Sequence, residues 1–138
     1  MEILKHRKSH VRFSALCCLG MGTPANVVDE MLRAGLSDRS ASVRWKAAEK
    51  ATTLNRKNLI PEMTAALTAE TNAKARREIE FELRLLRDGY ILKPASPSGF
   101  NVTVPIKNGT CGHWVSEDEM RAKGLDAILS DMRNDQPL

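Results

Sequence analysis

Aromatic residues, cysteines and long apolar runs are all scarce in this chain of 138 residues. Aromatic side chains make up only 4% of it, which disfavours a single-strand nucleic-acid binder built on base-stacking platforms. No apolar run approaches the length of a membrane span, and the N-terminus lacks the apolar segment of a signal peptide. The three cysteines are an odd number and two are adjacent, so we expect reduced thiols in a cytoplasmic protein without membrane contact.

Motifs that carry catalysis are missing as well. The chain has no glycine-rich phosphate loop, no His-Glu-x-x-His, no Gly-x-Ser-x-Gly and no paired carboxylates. Cys111 and His113 are spaced to share one face of a strand, but a zinc site needs a third ligand and none lies nearby. A half-buried core pair is therefore preferred for them, and we expect no enzymatic activity, no cofactor and no metal.

A 32-residue repeat organises the first two thirds of the chain. Arg12 follows an apolar residue, as do Arg44 and Arg76, and small and apolar positions stay in register between them. Self-similarity at a period of roughly 20 to 50 residues is typical of solenoids. The apolar spacing predicts a helical hairpin in each unit, with the first helix of the second unit over about Ala41–Thr53. The third unit should be one long helix that ends near Gly89.

Two details of the first unit follow from helical periodicity. Val11, Ala15, Cys18 and Leu19 lie at the spacing of one helix face, and this predicts that all four point to the core. Gly35 comes after the apolar stripe of the second helix, where glycine commonly ends a helix.

The stretch "DRSASVRWKAAEKATTL", with Asp38 six positions before Arg44, resembles a HEAT-like repeat. The resemblance covers about residues 1–89, or about two and a half units. It implies a ladder of hydrogen-bonded pairs between neighbouring units, formed here by Asp38, Arg12, Arg44 and Arg76. His6 and Glu70 stand where the other units would carry the Asp, so we expect the ladder to be irregular.

The first residues align with the end of a second helix, because Leu4 corresponds to Leu36. We interpret them as the stub of a preceding helix. A solenoid end without a cap leaves apolar surface open. Self-association through this N-terminal end is one interpretation that follows.

Residues 90–138 change from a helical period to strict alternation. Three short antiparallel strands and a terminal helix are expected, with Asn108 and Gly109 as a hairpin turn. The predicted register pairs Ile106 with Cys111, Val104 with His113, and Val102 with Val115. Ser116 and Glu119 predict a capping box at the start of the terminal helix. Trp114 is left on the outer face, and we expect it or the last helix to cap the solenoid.

The fold class predicted is therefore mainly α: a short HEAT-like α-solenoid at 1–89, then a small three-stranded antiparallel sheet and a terminal helix at 90–138. Its most natural function is a non-enzymatic scaffold that binds another protein. Second helices line the groove of a repeat fold. With the outer tryptophan added, the predicted partner-binding residues are Asn26, Asp29, Glu30, Arg33, Glu62 and Trp114.

Nucleic acid is the alternative partner. The sequence pI is about 9.1, and residues 1–90 hold 16 Lys and Arg against 11 Asp and Glu. Some HEAT-like families bind DNA backbones, so the resemblance also permits this function. The candidate phosphate-binding residues are Lys5, Arg7, Lys8 and Arg12. The resemblance further permits a lyase-like accessory role, for which the chain offers no catalytic residue.

Overall fold

The structure is a computed structural model that describes residues 2–106 and 109–134. These residues form a mainly helical chain with one three-stranded antiparallel sheet and helix at the C-terminal end. The chain divides into two compact units, Met1–Arg87 and Asp88–Leu138. Within the described ranges, no helix combines the length and the apolar character that a membrane crossing requires.

Helices make up the first unit. After a 3₁₀ turn at Glu2–Lys5, the chain forms α1 (Ser9–Cys17), α2 (Ala25–Leu36), α3 (Ala41–Thr53), a second 3₁₀ turn (Lys57–Leu59), α4 (Ile60–Ala69) and α5 (Ala73–Asp88). Helix α3 has the bounds that the apolar spacing predicts. The core collects one face of each helix and includes Leu16, Leu32, Val43, Met63 and Ile79.

The inner face of α1 differs from the predicted one. Leu19 is buried as predicted, but Cys18 is exposed. Within the helix, Arg12 and Leu16 are buried, whereas the predicted Val11 and Ala15 are only partly buried. Each step along a helix turns by about 100°, so the true inner stripe is rotated by roughly one position. Apolar periodicity misses this rotation because it counts the arginine as a surface residue, although the paired guanidinium of Arg12 is only 3% exposed.

Gly35 does not end α2, which continues to Leu36. It is buried, and a Cβ at this position would lie 2.8 Å from Ala47 Cβ and 3.1 Å from a Leu16 methyl carbon. Both distances are too short for ordinary packing. The glycine therefore serves the close approach of α2 to α1 and α3, and the prediction of a helix end there is wrong.

The second unit is a sheet covered by helix. Strands β1 (Ile91–Ala95), β2 (Gly99–Ile106) and β3 (Gly109–Ser116) lie in sequential order, each antiparallel to the next. Helices α6 (Glu117–Lys123) and α7 (Leu125–Asn134) follow, separated by Gly124 at φ 82°. The serine half of the predicted capping box is confirmed, since Ser116 Oγ accepts a hydrogen bond from the backbone N–H of Glu119 at 3.0 Å.

The register of the β2–β3 hairpin differs from the prediction by two residues. Val104 pairs with Cys111, Val102 with His113, and Ile106 with Gly109. Side chains alternate with a period of two, so an even shift leaves every residue on its predicted face. Val102, Val104 and Val115 accordingly pack with Ile128, Leu129 and Met132. The predicted turn residue Asn108 lies outside the described residues, and Gly109 belongs to β3.

Candidate functional site

A buried ion pair joins α1 to the start of the second repeat unit. Arg12 Nε and Nη2 donate to the two carboxylate oxygens of Asp38 at 2.8 and 2.9 Å, and Nη1 donates to the His6 carbonyl at 2.6 Å. The side chains of Arg12 and Asp38 are 3% and 8% exposed. The contact between these two residues that the HEAT-like resemblance implies is thus present.

The same bonds recur at the arginine of the next sequence repeat. Arg44 Nε and Nη2 donate to Glu70 at 2.6 and 2.8 Å, and Nη1 donates to the Asp38 carbonyl at 2.7 Å. The expectation of an irregular ladder is wrong for this layer, because the longer carboxylate side chain still reaches the guanidinium fork in bidentate geometry. His6 contributes its carbonyl to Arg12, as Asp38 does to Arg44. The irregularity lies at Arg76, which among the described residues donates from Nη1 to the Glu70 carbonyl at 3.4 Å without a bidentate carboxylate partner.

Both carboxylates are held in the charged form. Burial by itself would raise the pKa of Asp38, but hydrogen bonds from Arg12 and from the Ser40 N–H outweigh burial and lower it. The hydrogen bonds from Arg44 lower the pKa of Glu70 below its ordinary value, against the opposing effect of burial. Because these charges satisfy each other, the two layers act as a structural frame for what surrounds them.

Two recesses open beside these layers. The first, which we call the Arg12 recess, has a volume of about 310 Å³ and is lined by Leu4, Lys5, His6, Arg12, Ala34, Ser37, Asp38 and Arg39. The second, the Arg44 recess, has a volume of about 630 Å³ and is lined by Arg33, Leu36, Ser37, Arg44, Glu62, Ala65, Ala66, Ala69, Glu70 and Thr71. Except for His6, each lining residue of the first has its counterpart, one sequence repeat later, in the lining of the second.

The two recesses differ in charge and in floor. Apart from its structural ion pair, the Arg44 recess carries one base, Arg33, and one acid, Glu62. The Nε of Arg33 and the Oε1 of Glu62 lie 3.3 Å apart. Their side chains are 50% and 37% exposed, so the pair contacts solvent, although Glu62 Oε2 itself is buried without a hydrogen-bond partner among the described residues. The floor is small and apolar because α4 contributes three alanines, Ala65, Ala66 and Ala69.

The predicted partner-binding residues separate into groups. Arg33 and Glu62 meet in the Arg44 recess, whereas Asn26 and Glu30 are on α2 outside the lining of either recess. Asp29 is engaged internally: both of its carboxylate oxygens accept from Arg56 at 2.8 Å, and one also accepts from Asn58 at 2.8 Å. Of the predicted set, Arg33 and Glu62 are the residues placed to contact a ligand in a recess.

Trp114 belongs to the second unit and is 43% exposed. Its indole ring covers Gly99 on the neighbouring strand, where a Cβ would lie 2.7 Å from a ring carbon. A large aromatic over a strand glycine shields the backbone of the sheet. The ring therefore has a structural contact within its own unit while it still presents apolar surface.

The strand pair of Cys111 and His113 faces a small pocket of about 220 Å³ between β3 and the terminal helices. Cys111 is partly buried but His113 is exposed, so the expectation of a half-buried pair holds for the cysteine only. In the described ranges, no group of three or more His, Cys, Asp or Glu residues is arranged to hold a metal ion.

The candidate phosphate-binding residues also divide. Lys5, Arg7 and Lys8 are exposed, while Arg12 is buried against Asp38. Arg39, which the sequence reasoning did not single out, lines the Arg12 recess beside Lys5. The three alanines of α4 were also missed, because "TAALTA" reads as ordinary helix core.

One buried acid stands apart from these layers. Glu82 on α5 is 8% exposed, and burial raises its pKa to about 7, helped by the nearby negative charges of Glu49 and Glu78. Thr52 and Lys46 oppose this effect only in part. Its backbone carbonyl accepts a hydrogen bond from Thr52 Oγ1 at 3.0 Å, which ties α5 to α3. This carboxyl group titrates near neutral pH, unlike the two that are paired with arginine.

Comparison of the chain with protein-family models, with curated proteins and with solved structures gives no match. Function must therefore be argued from the recesses themselves.

Proposed function

We propose that the helical unit is a short HEAT-like solenoid that acts without catalysis, by binding a segment of a partner protein in the Arg44 recess. The observation that carries this proposal is the composition of that recess. It combines an alanine floor with one exposed base, Arg33, and one half-buried acid, Glu62. An apolar floor with a polar rim is the usual arrangement at protein interfaces.

Two features support a solenoid with the 32-residue period of the sequence. The bidentate pair of Arg12 with Asp38 recurs as the pair of Arg44 with Glu70, so both partners advance by the same interval along the chain. The linings of the two recesses are offset by that interval as well. Stacked repeats bury their facing surfaces as shared core and leave a groove along their second helices, here α2 and α4.

The chemistry of the recess suggests what the partner segment carries. Ala65 and Ala69 are exposed and small, so they leave room for an apolar side chain of the partner. Arg33 and Glu62 neutralise each other, which disfavours a partner of uniformly one charge. A segment with an apolar anchor between charged residues of both signs fits best. The adjacent exposed thiols Cys17 and Cys18 favour a reducing, cytoplasmic setting for this interaction.

Selection from a displayed peptide library tests this proposal. The intact chain serves as bait, and each selected peptide is then titrated against the variant Ala69→Trp, whose indole would fill the recess. We expect at least a tenfold loss of affinity, which corresponds to about 1.4 kcal/mol. The charge swap of Arg33→Glu with Glu62→Arg should alter which peptides are selected.

The matched control is Thr68→Trp, one position before Ala69 on α4. Thr68 is exposed and does not line the recess. This variant adds the same indole to the same helix, so it should bind the selected peptides as the natural chain does. Peptides that bind Ala69→Trp and Thr68→Trp equally well would place the interaction elsewhere and contradict the proposal.

A further inference from the structure

The Arg12 recess has more positive charge than its structural frame uses. Its lining includes the basic residues Lys5, Arg12 and Arg39 against the single acid Asp38. Arg12 and Asp38 satisfy each other through two short hydrogen bonds. Asp38 also attracts Arg39 electrostatically. One carboxylate cannot balance three cations, so Lys5 and Arg39 leave this cavity of about 310 Å³ with a net positive charge.

Comparison with the Arg44 recess indicates that the fold does not need these two cations. In the next repeat, the positions of Lys5 and Arg39 are taken by Ser37 and Thr71, and both line the Arg44 recess. The same backbone frame and the same type of buried ion pair thus exist with neutral side chains at both places. Charge at these positions is a property of the Arg12 recess and not a requirement of the repeat.

Protein groups occupy little of the hydrogen-bonding capacity of these cations. Among the residues that the structure describes, Lys5 lies near one acid, Glu2, at 3.6 Å, and the two side chains are 75% and 91% exposed. Exposed pairs of this kind are weak. Arg39 donates from Nη2 to the Arg7 carbonyl at 2.9 Å. The remaining nitrogens of its planar guanidinium are open to a ligand that accepts hydrogen bonds.

Neutral donors lie beside the cations. His6 Nδ1 accepts a hydrogen bond from the backbone N–H of Lys8 at 3.2 Å. In a neutral imidazole this leaves Nε2 as the protonated nitrogen and hence as a donor. His6 and the hydroxyl-bearing Ser37 both line the recess. Two cations with additional N–H and O–H donors match a compact anion that has several acceptor oxygens.

We propose that the Arg12 recess binds a phosphate-type oxyanion through Lys5 and Arg39, with His6 and Ser37 as further donors. The ligand is a compact phosphate, either free or as a terminal phosphomonoester. Arg12 takes no part in binding, because its guanidinium is held by Asp38 and the His6 carbonyl.

Titration of the isotopically labelled full chain, followed by its backbone amide resonances, tests this site. The probe is inorganic phosphate at low, constant ionic strength, with chloride as the reference anion. We expect saturable shifts at Lys5, His6, Ser37 and Arg39. The double variant Lys5→Ser with Arg39→Thr, which copies the Arg44 recess, should weaken binding at least tenfold.

The control removes the same charge elsewhere. Lys57→Ser with Lys74→Thr replaces two exposed lysines outside both recesses, and it should bind phosphate within about twofold of the natural chain. Loss of binding in this control to the same extent as in the recess variant would overturn the proposal. Diffuse shifts that do not saturate, or that chloride reproduces, would overturn it too.

A second ligand distinguishes a compact phosphate dianion from a phosphodiester link. Dimethyl phosphate carries the single negative charge of a phosphodiester link, whereas inorganic phosphate above neutral pH is largely a dianion. We expect the dianion to bind several-fold more tightly, as a free phosphate or a phosphomonoester would. Tighter binding of dimethyl phosphate would overturn the assignment to a compact terminal phosphate.

Discussion

The Arg12 recess and the Arg44 recess are built on the same bonds but carry different surroundings. In each, a bidentate arginine–carboxylate pair also holds a backbone carbonyl six residues before the arginine. Around this frame, Lys5 and Arg39 are replaced by Ser37 and Thr71, and α4 contributes an alanine floor. The paired charges of the frame are therefore the same in both recesses, whereas the unpaired charges around them differ.

The largest expected effect comes from breaking the frame itself. Glu70→Ala leaves Arg44 without its carboxylate partner in a site where the side chains of Arg44 and Glu70 are 20% and 0% exposed. Removing one member of a buried pair typically costs about 3–5 kcal/mol, because the other charge stays desolvated and unpaired. We expect a loss near the lower end of that range in chemical denaturation, because Arg44 retains some contact with water.

Asp38→Ala should destabilise the protein at least as much, because Asp38 holds Arg12 in the same manner and the Arg12 side chain is only 3% exposed. Glu62→Ala serves as the control for both variants. It removes a carboxylate of the same helical unit from a solvent-open pair, so it should cost only a few tenths of a kcal/mol. Equal losses for Glu70→Ala and Glu62→Ala would show that the buried layer is not a frame.

The pH dependence of stability should separate the framed carboxylates from Glu82. The pKa values of Asp38 and Glu70 are lowered, so their contribution is present above the ordinary carboxyl pKa and is lost as the pH falls through the folded values. The pKa of Glu82 is raised from 4.5 to about 7. Between these two values the folded state keeps a proton that the unfolded state has released, so this residue destabilises the fold as the pH rises.

Glu82→Gln should therefore stabilise the protein at pH 8, on the order of 1–3 kcal/mol, and give no such gain at pH 4. Denaturation at both pH values measures the difference. Glu80→Gln, at an exposed position of the same helix, should change stability little at either pH. A gain from Glu82→Gln that is the same at pH 4 and pH 8 would contradict the protonation argument.

The smallest expected loss of stability distinguishes the buried ion pairs of the frame from the charged residues on the surface of the Arg44 recess. Arg33→Ala removes the exposed partner of Glu62 and should change the free energy of unfolding by less than about 0.5 kcal/mol. If the Arg44 recess binds a partner segment, the same variant should weaken the binding of the selected peptides. A large loss of stability would instead assign Arg33 to the frame.

Elements with a regular apolar period were predictable from the sequence. Helix α3 lies at Ala41–Thr53 as predicted, the alternating strands follow α5, and Ser116 caps α6. Local pattern and local hydrogen bonding suffice for such features. The inner face of α1 was not predictable in this way, because the buried Arg12 breaks the apolar stripe and its partner Asp38 lies 26 residues away.

The candidate sites depend more on tertiary structure than the helices do. Arg33 and Glu62 were predicted to share a surface, but their contact at 3.3 Å depends on how α2 packs beside α4. Asp29 was placed on the same surface, yet Arg56 and Asn58 from the connection after α3 engage it. Which surface charges are available to a ligand is decided by partners that are distant in sequence.

The sequence by itself determined the helical and strand elements, the offset between repeats and the face on which each strand residue lies, because these follow from spacing along the chain. Tertiary structure alone decided the register of β3 against β2, since a shift of two residues leaves the alternation intact. It also decided that Gly35 is a packing contact and not a helix end, because Ala47 and Leu16 approach it from other helices. Spacing along the chain specifies the face of a helix or strand on which a side chain lies. Only packing specifies which residues of other elements lie against that face.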